Sequence, residues 1–255
     1  MARTIAVTGV ASGLGRGVAE RLEADGARVI GVDIADAEVT ADLSTVEGRA
    51  AAVDAVLAAC GGVLDGLVPC AGLGPQHAPE RIIAVNYFGA IATLDGLEDA
   101  LAAGSAPAVV MICSNSTTLT PGADGPIAAA CLAGDETLAV QQAAGANPAV
   151  AYAASKIGIG RAVRRRAQPF GVRGIRINSV APGPFNSRLL QEGLDDPATG
   201  DLIRSLPIPL GRFGEPSDIA DVVAWLLGDG ARYLQGTNVF VDGGIDAMLS
   251  PDRFP

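Results

Sequence analysis

Lysine occurs once in the 255 residues: of 18 basic side chains 17 are arginine, and the single amine is Lys156. A chain that uses arginine wherever it needs positive charge keeps that amine for a task a planar guanidinium cannot do. Tyr152 precedes it by four residues in a helical stretch, where positions i and i+4 share a face, so both side chains reach one site. A phenol titrating at about 10 is a poor base at neutral pH, but a neighbouring ammonium and an oxidised nicotinamide each favour the phenolate. Such a tyrosine takes a proton from an alcohol, or returns one to a carbonyl, while hydride moves to or from the nicotinamide. The bland alternative is a core tyrosine followed by a solvated lysine.

A second cluster of residues suits a nucleotide. Residues 8–15 read TGVASGLG between an apolar run and a helical stretch. Glycine at 9, 13 and 15 lets the backbone turn tightly and approach a pyrophosphate, and the helix N-terminus beyond presents free N–H groups. An ordinary glycine-rich strand-to-helix turn has the same spacing. It is not a Walker A loop, because no Gly-Lys-Ser/Thr follows. Asp33 ends the next apolar run, where a carboxylate accepts both ribose hydroxyls and repels a 2′-phosphate. No basic residue lies between Gly9 and Gly13 or directly after Asp33, so the expected coenzyme is NAD(H). The alternative for Asp33 is a strand-end turn residue.

These residues need a scaffold, and the pattern of the chain supplies one. Strand-like apolar runs lie at 4–8, 29–33, 66–70, 108–113, 174–180 and 238–241, with a weaker one at 38–41; alanine-rich segments of helical length include 15–25, 44–60 and 87–103. Continuous apolar strands separated by helices imply a parallel sheet covered on both faces. The predicted class is α/β, a doubly wound parallel sheet of about seven strands, with residues 1–255 as one domain. Residues 120–148 interrupt the alternation with a turn-rich entry and an alanine-rich helix over about 124–144. Residues 182–209 open with Pro-Gly-Pro, hold a helix near 188–193, and read as an excursion beside the sheet.

Composition excludes other classes. With 28 acidic against 18 basic residues the formal charge is −10, the wrong sign for nucleic-acid binding, and 49% apolar content excludes a disordered chain. The cysteines at 60, 70, 113 and 131 form no C-x-x-C pair and read as reduced thiols. No leader-like apolar segment follows Met1 and no run reaches membrane length, so a cytoplasmic protein without membrane contact is expected. His77, the only histidine, lacks a set of ligands and reads as a solvated loop residue; no metal is expected. A hydrolase triad built on Ser114 and His77 lacks a Gly-x-Ser-x-Gly elbow. The run Arg161, Arg164, Arg165 and Arg166 reads as a solvated helix end, with phosphate binding the lesser alternative.

The chain resembles the short-chain dehydrogenase/reductase family over nearly its whole length. The resemblance is carried, in the family's order, by TGVASGLG at 8–15, Asp42-Leu43, Cys70-Ala71-Gly72, Val85-Asn86, Ile112-Cys113-Ser114, AYAASK at 151–156, NSVAPG at 178–183, PLGRFGEPSDIA at 209–220 and VDGG at 241–244. It implies a Rossmann-like fold in which Ser114 hydrogen-bonds the substrate oxygen and Tyr152 is the acid/base. Lys156 holds the ribose and lowers the tyrosine pKa, and Asn86 holds a water in the proton relay. It also implies coenzyme contacts from Gly9, Ser12, Gly13, Leu14, Gly15, Asp33, Asp42, Leu43, Cys70, Ala71, Gly72, Pro182 and Gly183, besides Tyr152 and Lys156.

Two departures matter. The family's Asn-Asn-Ala-Gly is Pro69-Cys70-Ala71-Gly72 here, so side-chain amides are lost from that loop. Ser114 and Tyr152 stand 38 residues apart, farther than in most members, which makes 120–148 an insertion. That insertion, with VDIADAEVTADLS at 32–44, CAGLGPQ at 70–76, VNYFGA at 85–90, LLQEGLDDP at 189–197 and VDGGIDA at 241–247, is similar to the bacterial 3α-hydroxysteroid dehydrogenase/carbonyl reductase branch. The implied reaction is NAD(H)-dependent interconversion of a secondary alcohol and a ketone. Leu73, Pro75, Thr117, Pro184, Phe185, Leu189 and Leu190 are the expected substrate lining, mostly apolar, which suits a sterol, terpenoid or aromatic ketone. A nucleotide-sensing protein and a lyase or enoyl reductase of the same fold are the alternatives. In many relatives the helix carrying the tyrosine pairs across a two-fold axis. The insertion is expected to cover that surface, leaving a homodimer built on the helix near 218–227, with Trp225, and the strand at 238–241.

Overall fold

The computed structural model describes residues 2–197 and 199–253. One parallel sheet runs through it, made of β1 (Thr4–Thr8), β2 (Arg28–Asp33), β3 (Val39–Thr40), β4 (Gly66–Pro69), β5 (Ala108–Ile112), β6 (Arg176–Pro182) and β7 (Asn238–Val241). The order across the sheet is β3-β2-β1-β4-β5-β6-β7. The chain therefore reverses its direction of travel between β1 and β4, and a crevice opens beyond the carboxyl ends of those two strands, where open α/β sheets take their ligands.

Every residue of β4 and β5 is buried, because helices cover both faces; this is why those strands read as unbroken apolar runs. On one face Val56, Leu94 and Ile159 pack with the sheet; on the other, Leu14, Val18, Ile219 and Val223 do. Ile127, Ala128, Cys131 and Ala139 of the insertion belong to the first core, so the insertion is packed structure and not a loose loop.

Several elements differ from expectation. The insertion holds two short helices, Pro126–Ala133 and Glu136–Ala143, instead of one. Gly134 at φ 73° ends the first in the left-handed conformation, and the Asp135 carboxylate accepts the Leu138 N–H to start the second. The stretch expected as one helix over 87–103 begins earlier as a π-helix, Ala84–Gly89, and continues as Ala90–Gly96 and Glu98–Ala102. β6 starts at Arg176 because Gly174, at φ 76°, closes the end of the preceding helix. The arginine run is largely engaged and not simply solvated. Arg161 forms a bidentate pair with Asp124 and Arg165 donates to the Leu132 carbonyl, which fastens the insertion to this helix, while Arg166 pairs with Asp95 of helix Ala90–Gly96. Among the described residues, no helix is long and apolar enough to cross a membrane.

The turn after β1 is closely packed. A Cβ on Gly15 would stand 2.0 Å from the Gly9 carbonyl oxygen, whereas one on Gly13 would meet nothing within 4 Å and would face only its φ of +56°. Gly13→Ala is expected to cost about 1–2 kcal/mol through the left-handed backbone alone, and Gly15→Ala distinctly more, since backbone must move. Denaturant unfolding of the two variants checks the order; equal losses, or the reverse, contradict it.

Candidate active site

The glycine turn is held against the neighbouring strand from both sides. The Gly9 N–H donates to the Val32 carbonyl at 2.7 Å, and a Cβ at Gly9 would lie 2.9 Å from the Ala71 backbone. Thr8 Oγ1 accepts the N–H groups of Cys70 and Ala71 at 3.0 and 2.9 Å, joining the tips of β1 and β4. Asp33 closes the cradle: Oδ2 accepts the Ala11 N–H at 2.9 Å and Oδ1 the Ile34 N–H at 2.6 Å. Helix Gly13–Ala24 starts after Ser12, whose side chain makes no capping bond. Asp42 accepts from Ser44, which holds its carboxyl below the usual range, and Leu43 beside it is buried. A backbone turn with no room for a Cβ at Gly9 or Gly15, a helix N-terminus and a carboxylate fixed across from it fit a dinucleotide without a 2′-phosphate.

The chemical end grows from β5 and helix Pro148–Val172. Asn147 caps that helix by accepting from Ala149, and Pro148 occupies its first turn. Lys156 is 5% exposed; its Nζ donates to the Ile112 carbonyl at the end of β5 at 2.9 Å and lies 5.9 Å from the centre of the Tyr152 ring. Ser114, two residues beyond that carbonyl, is buried and stands near enough to the Tyr152 phenol to lower its pKa. Burial pushes the Tyr152 phenol up from its ordinary value while Ser114 opposes that shift; burial also pulls Lys156 down. The helix comes this close because Gly158 allows it. A Cβ on Gly158 would stand 2.8 Å from the Tyr87 ring, whereas one on Gly160 would make an ordinary contact with Cys113 Sγ at 3.5 Å.

Asn86, inside the π-helix, is buried and turned to the loop after β4. Its Oδ1 accepts the Leu73 N–H at 2.7 Å, and Nδ2 donates to the Leu73 carbonyl at 3.0 Å and to Ser155 Oγ at 3.5 Å. Its side chain thus shapes the loop after β4. A Cβ on Gly72 would lie 3.4 Å from Asn86 Oδ1 and 3.8 Å from Lys156 Nζ, so this loop borders the ammonium. Cys70, in place of the usual amide, is a thiol that burial raises to about 12 and keeps neutral. All four cysteines are free.

The expected substrate lining is only partly brought together. Thr117 Oγ1 donates to the Ser114 carbonyl at 2.8 Å, and Leu189 meets the loop of Leu73 and Pro75, since a Cβ on Gly74 would lie 2.6 Å from Leu189 Cδ1. Phe185, in contrast, packs against the core of Leu14 and Ile219, and Leu190 is buried in its own helix, Arg188–Asp195. Pro184 lines a cavity of about 240 Å³ with Arg212, Asp218 and Val241, which Ser114 and Tyr152 do not line. Pro182 ends β6, and the Gly183 N–H donates to the Val241 carbonyl at 3.0 Å. His77 is half-buried in a turn, its N–H donating to the Gly74 carbonyl, and no group of three metal-ligating side chains occurs among the described residues.

Two residues escaped the sequence reading. Thr8 stands inside the glycine motif, but its double acceptor role exists only because β4 lies next to β1. Asp242, buried, accepts from Asn115 Nδ2 at 3.5 Å and from the N–H groups of Gly244 and Asp246, tying the end of β7 to the Ser114 loop.

Comparison with known proteins gives a consistent picture. A family model described as Enoyl-(Acyl carrier protein) reductase matches residues 9–246. A 3-alpha-hydroxysteroid dehydrogenase/carbonyl reductase of Comamonas testosteroni is 44% identical over 254 residues, 98% of this chain and 99% of that protein. A 3beta-hydroxysteroid dehydrogenase 1 of Eggerthella lenta is 31% identical over 95% of this chain and 93% of its own. The crystal structure of the 3-alpha-hydroxysteroid dehydrogenase from Pseudomonas sp. B-0831 complexed with NADH aligns at a TM-score of 0.96 and 46% identity, covering 98% of this chain and all of that one (100%). With its Tyr-x-x-x-Lys helix, glycine turn and strand order, the chain belongs to the short-chain dehydrogenase/reductase family.

Proposed function

We propose that the protein is an NAD(H)-dependent oxidoreductase interconverting a secondary alcohol and a ketone, with an apolar cyclic substrate such as a 3α-hydroxysteroid. The observation that carries this reading is the meeting of Ser114, Tyr152 and buried Lys156 at the end of β5, beside a cradle suited to NAD. Bound nicotinamide supplies or takes the hydride. Ser114 Oγ donates to the substrate oxygen, and the Tyr152 hydroxyl gives that oxygen a proton in reduction or takes it in oxidation. The Lys156 ammonium, beside the ring, favours the phenolate against the burial that disfavours it. Asn86 holds the Leu73 loop that borders the ammonium and is assigned the water of the proton relay. Gly9, Ser12 to Gly15, Asp33, Asp42, Leu43, Cys70 to Gly72, Pro182 and Gly183 are assigned to the coenzyme; Leu73, Pro75, Thr117 and Leu189 to the substrate.

The relatives' printed activities support this reading, and a steroid or similar fused-ring substrate suits the apolar side chains near Leu189 and Leu73. The description of the matching family model favours a second reading, reduction of an enoyl double bond. NADH oxidation with a cyclic ketone but not with an enoyl thioester separates the two.

The chain is read as one domain over 1–255, with 120–148 as an insertion and 182–209 as the substrate-side excursion. It is expected to act in the cytoplasm, where four free thiols persist. It is expected to form a homodimer. The first insertion helix packs on the helix that carries Tyr152, with Ile127 and Cys131 in the shared core, while β7 at the sheet edge leaves Val239, Phe240 and Val241 half-buried and Trp225 is 48% exposed.

Three outcomes are expected. Tyr152→Phe keeps the ring and removes the transferable proton, so turnover falls ~10²–10⁴-fold with NADH binding retained; steady-state kinetics with wild-type rates would contradict the assignment. Asp33→Ser weakens NAD(H) and relieves the repulsion of a 2′-phosphate, narrowing the coenzyme preference, and a wild-type enzyme that prefers NADP(H) refutes this. Light scattering gives twice the 25.6 kDa chain mass, and Trp225→Glu shifts it to the monomer; a wild-type tetramer is the contrary result.

A further inference from the structure

One cation is buried far from the reacting groups. Arg49 is 5% exposed, inside helix Val46–Cys60, and its guanidinium has a full set of partners. Nε donates to the Leu43 carbonyl at 2.8 Å. Nη2 donates to the Ala84 carbonyl at 2.9 Å and to that of Ser44 at 3.3 Å. Nη1 and Nη2 each reach a Glu136 oxygen at 2.7 Å, a fork-to-fork pair, and the guanidinium carbon lies 5.9 Å from the centre of the Phe88 ring.

Those partners come from three elements with different duties. Leu43 follows Asp42 in the loop assigned to the coenzyme. Ala84 opens the π-helix that carries Asn86, which in turn holds Leu73. Glu136 opens the second helix of the insertion. The three are pressed together, for a Cβ on Gly89 of the π-helix would lie 3.1 Å from the Leu43 carbonyl oxygen. Only a planar group with several fixed donors can serve three carbonyls and a carboxylate at once; a lysine ammonium cannot reproduce that fork.

We propose that Arg49 is a positioning residue for the coenzyme loop, with Glu136 of the insertion as its counter-charge, so that the insertion is a working part of the coenzyme site. The inference rests on the reading of Asp42 and Leu43 as coenzyme contacts. Without Glu136 the buried guanidinium loses its compensating charge; without the guanidinium the Leu43 and Ala84 carbonyls lose their donors. Either loss loosens a loop that touches the coenzyme and not the substrate.

The test is NADH titration of the full-length protein by calorimetry at 20 °C, with melting curves for each variant. Arg49→Lys and Glu136→Gln are expected to remain folded at that temperature and to bind NADH about tenfold more weakly, while substrate KM at saturating NADH stays at the wild-type value. A purely structural ion pair would lower the melting temperature and leave the NADH dissociation constant unchanged; that result in the folded variants overturns the proposal. If Arg49→Lys does not fold, Glu136→Gln decides alone. Asp42→Ala, run alongside, separates the two failures. NADH binding unaffected by Asp42→Ala means the coenzyme reading of the loop is wrong. Binding weakened by Asp42→Ala but not by the Arg49 and Glu136 variants means the positioning role is wrong.

Discussion

A single ammonium taken out of water governs how this protein is put together. Lys156 is almost wholly enclosed, and a desolvated charge persists only where groups of the opposite polarity are fixed around it. Within the chain that group is the last carbonyl of β5. The requirement sets the height of helix Pro148–Val172 on the sheet, and glycine at 158 is what lets the helix lie so close to Tyr87. Once that height is set, Tyr152 one turn earlier meets Ser114 at the strand end, and the phenol inherits the same desolvated surroundings. Burial alone makes the tyrosine a weaker acid and the lysine less willing to stay charged, so each needs the other, and the coenzyme, to work.

The coenzyme side obeys a different constraint, one of space and not of charge. Gly9 and Gly15 face each other where no side-chain atom fits, and Thr8 replaces side-chain amides by receiving two backbone donors of the neighbouring loop. Cys70 can therefore stand where relatives carry an amide: the strand tips are already joined without it, and its thiol stays neutral.

Much of this was legible in the sequence, for reasons that are local. β1 matches its apolar run residue for residue because a buried parallel strand has to be continuously apolar, and the Tyr152–Lys156 spacing speaks for itself in a helix. What stayed hidden depends on tertiary neighbours. The break at Gly134 sits inside an alanine-rich stretch that favours one helix, and its left-handed cap wins only together with the Asp135 side chain. The π-helix at Ala84–Gly89 has no composition of its own. The arginines at 161, 165 and 166 look like any solvated run until Asp124, Leu132 and Asp95 are folded against them. Phe185, an attractive substrate contact by type, is half-buried against the core of Leu14 and Ile219, where the segment after β6 bridges to Gly214.

The central claim is that Lys156, with the positive charge of the oxidised coenzyme, overcomes the burial that holds Tyr152 protonated. The pH dependence of kcat/KM for oxidation of a cyclic secondary alcohol at saturating NAD, compared between wild type and Lys156→Met, tests it most directly. The account predicts an acid limb in the wild type below the ~10 of a free phenol, moved upward by about one pH unit or more when the ammonium is removed. An acid limb at the same pH in both proteins would contradict it.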